Sequence, residues 1–370
     1  MPKPAAQAPA PQAAPVIPVQ TVTPAPLVPL QVKVGMLLPL SGPNAALGNA
    51  MLNAAQQAVF DAAATNFELM PRDTGGNEYA AGAAAHDAIN AGAQLLIGPL
   101  FAPQVPAVRH VAEQAGIPVL TLSTDTSLAA PGLYVMGFTP GAQAERIARF
   151  AVARGLRRLA ALVPSSSYGA LVGQAFQLAV AEAGGTVVSL NTYDPAKHDS
   201  EAQIKSLADQ SSVIDALFLP EGGADLALIT QQLAAAGFDP QKIRMLGTGL
   251  WDAPDTGRQN PFVVGGWYAA PDVTTRQNFI ASYKATYGED PPRLASLAYD
   301  ATALAAVMAK RGARFDQVSL TNANGFAGLD GIFRLKFNGE VERGLAILEV
   351  TQDGPRDIDA APTSFAAPPY

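Results

Sequence analysis

The chain contains no cysteine. That excludes structural disulfides, a cysteine nucleophile and any cysteine-ligated metal, and it suits either a reducing compartment or an exported protein that folds without disulfides. Charge is also sparse: only 15% of residues are charged, and acidic side chains outnumber basic ones 31 to 24 for a net charge of −7. With no basic run to offset that balance, neither nucleic acid nor an anionic membrane surface is an expected partner. The three histidines, His86, His110 and His198, are scattered and form no metal-spaced pair. Neither a Gly-x-Ser-x-Gly elbow nor a Gly-x4-Gly-Lys-Ser/Thr phosphate loop occurs. Hence no enzyme, metal or cofactor is expected. Met1 leads directly into a Pro/Ala tract, so no leader or membrane-spanning run is expected either.

What is present in quantity is apolar: 49% of residues are hydrophobic, which suits a core-rich globular protein, and a length of 370 residues exceeds one ordinary core and predicts two domains. Residues 2–30 hold nine prolines, and Lys3 is the only charge before Lys33. Such a tract cannot pack a core and predicts an extended, polyproline-like spacer over residues 1–30. It reads either as an inert terminus or, preferably, as a tether that holds a globular body off a membrane after removal of an upstream export signal. Residues 353–370 are again Ala/Pro-rich and are expected to be disordered.

Between these ends the pattern alternates. An apolar run at 32–38 closes on Pro39-Leu40-Ser41-Gly42-Pro43 and is followed by an Ala-rich helical pattern over 45–64. Strand patterns recur at 67–70, 94–99 and 117–120, with helical patterns over 81–91 and 102–114 between them. After a break near Thr139-Pro140 the alternation repeats, with strands at 159–163, 186–190, 216–219 and 243–246. Residues 261–270 read as a strand returning toward the first series, before helices at 277–287 and 295–310. Asn338-Gly339, between apolar runs at 331–337 and 344–350, is a hairpin signal. Strand, tight turn, helix and strand again predicts doubly wound parallel α/β sheets, in which ligands sit beyond the carboxyl ends of the strands.

Several of these segments resemble one family. Val34-Gly35-Met36-Leu37-Leu38-Pro39-Leu40-Ser41-Gly42-Pro43, with Gly48 following, is similar to the first strand and turn of type I periplasmic binding proteins, in the branch that binds leucine, isoleucine and valine. Leu96-Ile97-Gly98-Pro99-Leu100, Ala115-Gly116-Ile117-Pro118-Val119-Leu120, Ser167-Tyr168-Gly169, Ala183-Gly184-Gly185, Tyr287-Gly288 and Ala298-Tyr299-Asp300-Ala301 resemble later steps in order, so the likeness spans roughly residues 32–350. It implies two Rossmann-like lobes joined by three crossovers that close on a ligand like a flytrap. Lobe 1 is expected from residues 31–140 plus 262–328, and lobe 2 from 141–261 plus 329–352. The tether and Gly265-Gly266-Trp267-Tyr268-Ala269-Ala270-Pro271 are similar to a separate branch, lipoproteins that activate penicillin-binding proteins.

The candidate site follows from the turns. An α-carboxylate is held by backbone N–H groups at helix N-termini, helped by hydroxyls, and Ser41, Ser123 and Thr124 stand at such turns. Ser123 and Asp125 fall where the resembled family contacts the α-amino and carboxyl groups. Glu221 or Asp125 would meet an α-ammonium, and Tyr168 and Trp251 would wall the side-chain pocket. Against this, Ser and Thr at strand-to-helix turns serve first as N-caps, Tyr168 and Trp251 suit plain packing, and Glu221 suits a solvent-facing position. One departure concerns Leu100-Phe101-Ala102-Pro103, where the family carries small carboxylate-binding hydroxyls: Phe101 puts a ring there and Pro103 removes a donor. The resemblance implies a monomeric periplasmic solute-binding protein for an amino acid or similar small polar ligand, tethered as a lipoprotein and feeding an ABC permease. The alternative is a lipoprotein regulator that docks on a cell-wall synthase.

Overall fold

The computed structural model describes residues 31–197, 200–271, 273–312 and 314–365; the expected tether, His198 and the last residues of the tail lie outside the described residues. The first lobe opens with β1 (Val32–Leu38), α1 (Ala45–Ala62), β2 (Phe67–Asp73), α2 (Glu78–Asn90), β3 (Leu95–Ile97), α3 (Val105–Ala115), β4 (Val119–Thr121) and β5 (Leu133–Val135). These strands pair in parallel in the order β2-β1-β3-β4-β5. Helices cover both faces, which is why β1, β3 and β4 are continuous apolar runs rather than alternating ones. Local chemistry sets the helix ends: Asn77 caps α2 by accepting the Ala80 N–H at 2.9 Å, and Gly116 closes α3 at φ +66°. β5 is an element the sequence pattern passes over, because its three buried residues sit between Pro131-Gly132 and Gly137 with no room for a period.

The second lobe is built from α4 (Pro140–Ala153), β6 (Arg158–Pro164), α5 (Ser167–Glu182), β7 (Thr186–Tyr193), α6 (Glu201–Asp209), β8 (Ala216–Phe218), α7 (Gly223–Ala235), β9 (Arg244–Gly247), α8 (Thr256–Gln259) and β10 (Trp267–Ala270). The chain then gives α9 (Val273–Tyr287), α10 (Ala295–Lys310), α11 (Gln317–Leu320), β11 (Phe326–Gly328), β12 (Gly331–Leu335), β13 (Val341–Arg343), β14 (Ala346–Thr351) and β15 (Gly354–Asp359). The second sheet runs β15-β14-β10-β9-β8-β6-β7, parallel from β10 to β7, with β14 and β15 added antiparallel.

Three expectations need correction. Residues 267–270 do not return to the first lobe: β10 pairs with β9 and β14, and Tyr268, Ala269 and Ala270 are buried in the second sheet. Residues 329–343 do not belong with the second lobe, since Phe333, Leu335 and Val341 pack into the first lobe's core. The Asn338-Gly339 turn joins β12 to β13 and docks on the first sheet, with the Val135 N–H donating to the Gly339 carbonyl at 3.0 Å. Gly339 is required there: its φ is +87°, and a Cβ would stand 2.3 Å from both the Ala130 nitrogen and the Leu133 carbonyl oxygen. Finally, residues 354–359 of the expected disordered tail form β15 against β14; alternating backbone pairing there needs little apolar content.

Apolar cores cover both faces of each sheet. On the first, Met36, Leu38, Met51, Ala55 and Leu304 bring α1 and α10 against one face, and Leu37, Ala85 and Val108 bring α2 and α3 against the other. On the second, Leu162, Ile229 and Trp251 fill one side, and Ile147, Val172 and Phe176 the other, where Phe176 stacks on Phe218 at 4.4 Å. The chain passes between the lobes three times: from β5 to α4, from β10 to α9 and from β13 to β14.

Candidate functional site

The carboxyl ends of both sheets, together with the late-chain segment before α10, surround a cavity of about 250 Å³. Thr124, Phe138 and Arg293 line it from the first lobe, and Gln143, Tyr168, Leu250 and Asp252 from the second. The Gly249 N–H donates to the Gln143 side-chain oxygen at 2.8 Å, which fixes the β9 turn against α4. Of the sequence candidates, Thr124 and Tyr168 reach this cavity. Thr124 is exposed, and the Tyr168 hydroxyl lies 3.3 Å from Thr248 Oγ1. Burial pushes the Tyr168 hydroxyl pKa up to about 12; the Thr248 contact opposes this and the charge of Glu221 adds to it, so Tyr168 enters the cleft neutral.

The other candidates serve their own loops. Ser41 is exposed and hydrogen-bonds Asp73, whose carboxylate also accepts the Leu40 and Gly75 N–H groups at 2.9 Å each. Ser123 is buried, with its Oγ accepting the Asp125 N–H at 3.1 Å. Asp125 caps the next turn by accepting the Ser127 N–H at 3.0 Å and its hydroxyl at 2.6 Å. Phe101 packs partly into the first lobe's core and otherwise borders a shallow surface recess with Tyr79, Pro103 and Gln104.

Glu221 is buried rather than solvent-facing: it accepts the Tyr193 hydroxyl, and its main-chain carbonyl accepts the Trp251 indole N–H at 2.9 Å. Burial raises its pKa, as does the charge of Asp225, while the Tyr193 hydrogen bond pulls the other way. Trp251 is 1% exposed, and a Cβ on Gly247 would come within 2.3 Å of its ring. Trp251 is therefore a core wedge beneath the β9 turn, not a cavity wall.

The charged part of the site was not among the sequence candidates. Arg293 precedes α10, and Asp330 lies in the β11–β12 turn, fully buried. Arg293 Nη1 donates to Asp330 Oδ2 at 3.2 Å and to Ser296 Oγ at 2.9 Å, and its Nη2 lies 3.0 Å from Asp330 Oδ1. The guanidinium stacks on Phe138, 4.1 Å from the ring centroid, and Arg343 approaches the same ring at 5.2 Å. Arg276 links Asp330, at 3.8 Å, to Asp252, at 3.3 Å, and Asp252 also accepts the Tyr268 hydroxyl at 3.3 Å. Burial raises the Asp252 pKa against the pull of Arg276 and Arg293, and burial lowers that of Arg293 against Asp330. A signal for Arg293 did exist in the sequence. A cation at the start of a 16-residue helix opposes the helix dipole, so something else must hold it there. Here that is Asp330, an interaction between residues 37 positions apart.

Comparison with known proteins agrees with this architecture. A curated Brucella melitensis protein named Leu/Ile/Val-binding protein homolog 6 is 27% identical over 144 residues, which are 38% of this chain and 37% of that one. The chain spans less than two thirds of the length of the first curated relatives it matches. Among solved structures, a putative branched-chain amino acid ABC transporter protein from Rhodospirillum rubrum superposes with a TM-score of 0.80 at 22% identity, covering 89% of this chain and 100% of that one. An ABC-transporter solute-binding protein from Rhodopseudomonas palustris, solved with 3,4-dihydroxybenzoic acid, gives 0.64 at 20% identity over 90% and 96%. Those two likenesses show the fold. The family model described as periplasmic binding protein matches residues 31–355, nearly all of the described body, and the chain belongs to that family.

Proposed function

We propose that the protein is the non-catalytic solute-binding component of an ABC transporter, holding an amino acid or similar small carboxylate between its lobes. The observation that carries this reading is the cavity itself: both lobes line it, and a guanidinium stands in its wall among Phe138, Tyr168 and Leu250. A ligand touching both lobes favours their approach by its differential affinity for the closed state, which is what a permease can recognise. Relatives and structural neighbours named for branched-chain amino acids, and one solved with an aromatic acid, support the ligand class. Membership of the family implies a periplasmic location, and no helix among the described residues is long and apolar enough to cross a membrane. The Pro-rich residues 2–30 would then serve as the spacer to a membrane anchor.

A thermal-shift screen with amino acids and aromatic monocarboxylates tests the reading. A ligand at a hundred times its dissociation constant adds about 2.7 kcal/mol of stability, a readily measured rise in Tm. The expected result is a saturable shift with at least one carboxylate that is lost in Tyr168→Ala. No shift with any member of the panel removes the solute-binding assignment.

A further inference from the structure

Resting on the carboxylate-binding reading above, we infer that the cleft is built for a carboxylate that carries no α-ammonium group, with Arg293 as its anchor. The argument starts from the hydrogens of Arg293. Asp330 and Ser296 engage both hydrogens of Nη1, while Asp330 Oδ1 stands 3.0 Å from Nη2 as an ion pair without accepting a hydrogen bond from it. Among the described residues nothing accepts from Nε–H or from the Nη2 hydrogen beside it. Those two lie on the same edge of a guanidinium, which is the edge that takes a carboxylate through two parallel hydrogen bonds. Phe138 stacked beneath and Asp330 at the far edge hold the plane in place, so that edge is ordered before a ligand arrives. Arg293 keeps about a third of its side chain exposed while Asp330 has none, so the open edge is the ligand side.

An α-ammonium, in contrast, finds no unpaired carboxylate among the described residues that line the cavity. Asp252 is the carboxylate on the cavity wall; its Oδ1 accepts from Tyr268 and its Oδ2 from Arg276, and only 6% of its side chain is exposed. Glu221 is buried beneath Tyr193 and lies outside the cavity lining, and Asp125 faces its own turn. Pro140, Leu250 and Pro271 make the rest of the wall apolar. A cation stripped of water there would face the Arg293 guanidinium, with no unpaired carboxylate among the lining residues to offset its desolvation. An apolar body with one carboxylate meets the complementary surface.

Calorimetric titration of the intact protein with two matched pairs decides the point: leucine against 4-methylpentanoate, and phenylalanine against 3-phenylpropanoate. The expected result is that the deaminated member of at least one pair binds tenfold or more tighter than its amino acid. Equal or tighter binding of the amino acids overturns the inference and leaves the solute-binding reading standing. No heat from any of the four at millimolar concentration overturns both. Arg293→Gln should lower affinity for the bound acid at least tenfold. Because that change also disturbs buried Asp330, Thr124→Asp on an exposed position is the second variant. It adds a negative charge to the same cavity and should weaken the acid at least threefold while narrowing its preference over the amino acid; unchanged affinity there overturns the placement.

Discussion

In the first lobe β1 runs into Pro39, and α1 passes so close that a Cβ on Gly48 would stand 2.0 Å from the Pro39 carbonyl oxygen; in the second, β6 ends at Pro164, and a Cβ on Gly169 would stand 1.9 Å from its carbonyl oxygen. The backbone device is the same, yet the side chains beside it do different things. Ser41 in the first lobe ties its own loop through Asp73, whereas Tyr168 in the second faces the cavity. The first lobe's charge comes instead from the late segment that returns to it, through Arg293 and Asp330. Repetition thus supplies two similar platforms, and the part of the chain that is not repeated supplies the ionic chemistry between them.

The sharpest way to break that division is at Asp330. Removing a fully buried carboxylate that faces two arginines should cost about 3–5 kcal/mol, toward the lower end because Arg293 reaches solvent. Urea unfolding of Asp330→Ala measures it. The comparison is Asp125→Ala, in a first-lobe turn of the repeated kind, where loss of a cap costs about 1 kcal/mol. Equal losses at the two sites would remove the distinction between platform and return segment. Next in size are Gly48→Ala and Gly169→Ala. Each forces a methyl group into a carbonyl oxygen, and backbone shifts of that sort cost about 1–3 kcal/mol. The two losses should agree within about 0.5 kcal/mol if the lobes use one device. A large loss in only one of them shows that the similarity is confined to geometry.

How legible this was in the sequence divides along the same line. Runs such as 32–38 and 159–163 are buried on both faces and bounded by Pro and Gly, so local pattern alone identifies them as strands of parallel sheets. Residues 261–270 and 329–343 went to the wrong lobe for a physical reason: an apolar strand records that it is buried, not which sheet receives it. The turn residues were visible as turn residues, but whether a hydroxyl bonds its own loop or a ligand depends on distances of an ångström. Ser123 is the clear instance, closing on Asp125 at 3.1 Å. Arg293, Arg276, Asp252 and Asp330 stayed hidden because each pairs with a residue far away in sequence, leaving only the misplaced charge ahead of α10 as a local trace.

The smallest expected effect separates the lobes by the nature of their carboxylate clasps. In the first, burial raises the Asp73 pKa, but the Ser41 hydroxyl and the Gly75, Leu40 and Ser41 N–H groups outweigh it and leave the group below its ordinary value. In the second, Arg158 lowers the Asp215 pKa first of all, with burial opposing and the Arg157 and Arg158 N–H groups assisting. For a depressed carboxylate the stabilisation is fully present above the unfolded value, about 3.9, and is lost as pH falls through the lower folded value. Both groups therefore stabilise the protein near neutrality and release that stabilisation below about pH 4, each by roughly 0.5 kcal/mol once solvent screening is allowed for. Asp73→Asn and Asp215→Asn should each flatten the acid limb of stability against pH, read from urea midpoints near pH 5 and pH 3. Salt then tells them apart. Half the Arg158 side chain is exposed, and at 1 M salt the screening length falls to about 3 Å, so the Asp215 contribution should shrink. Asp73 is held by a hydroxyl and neutral N–H groups, and its contribution should survive, so equal salt sensitivity in the two variants would mean that both clasps are ionic.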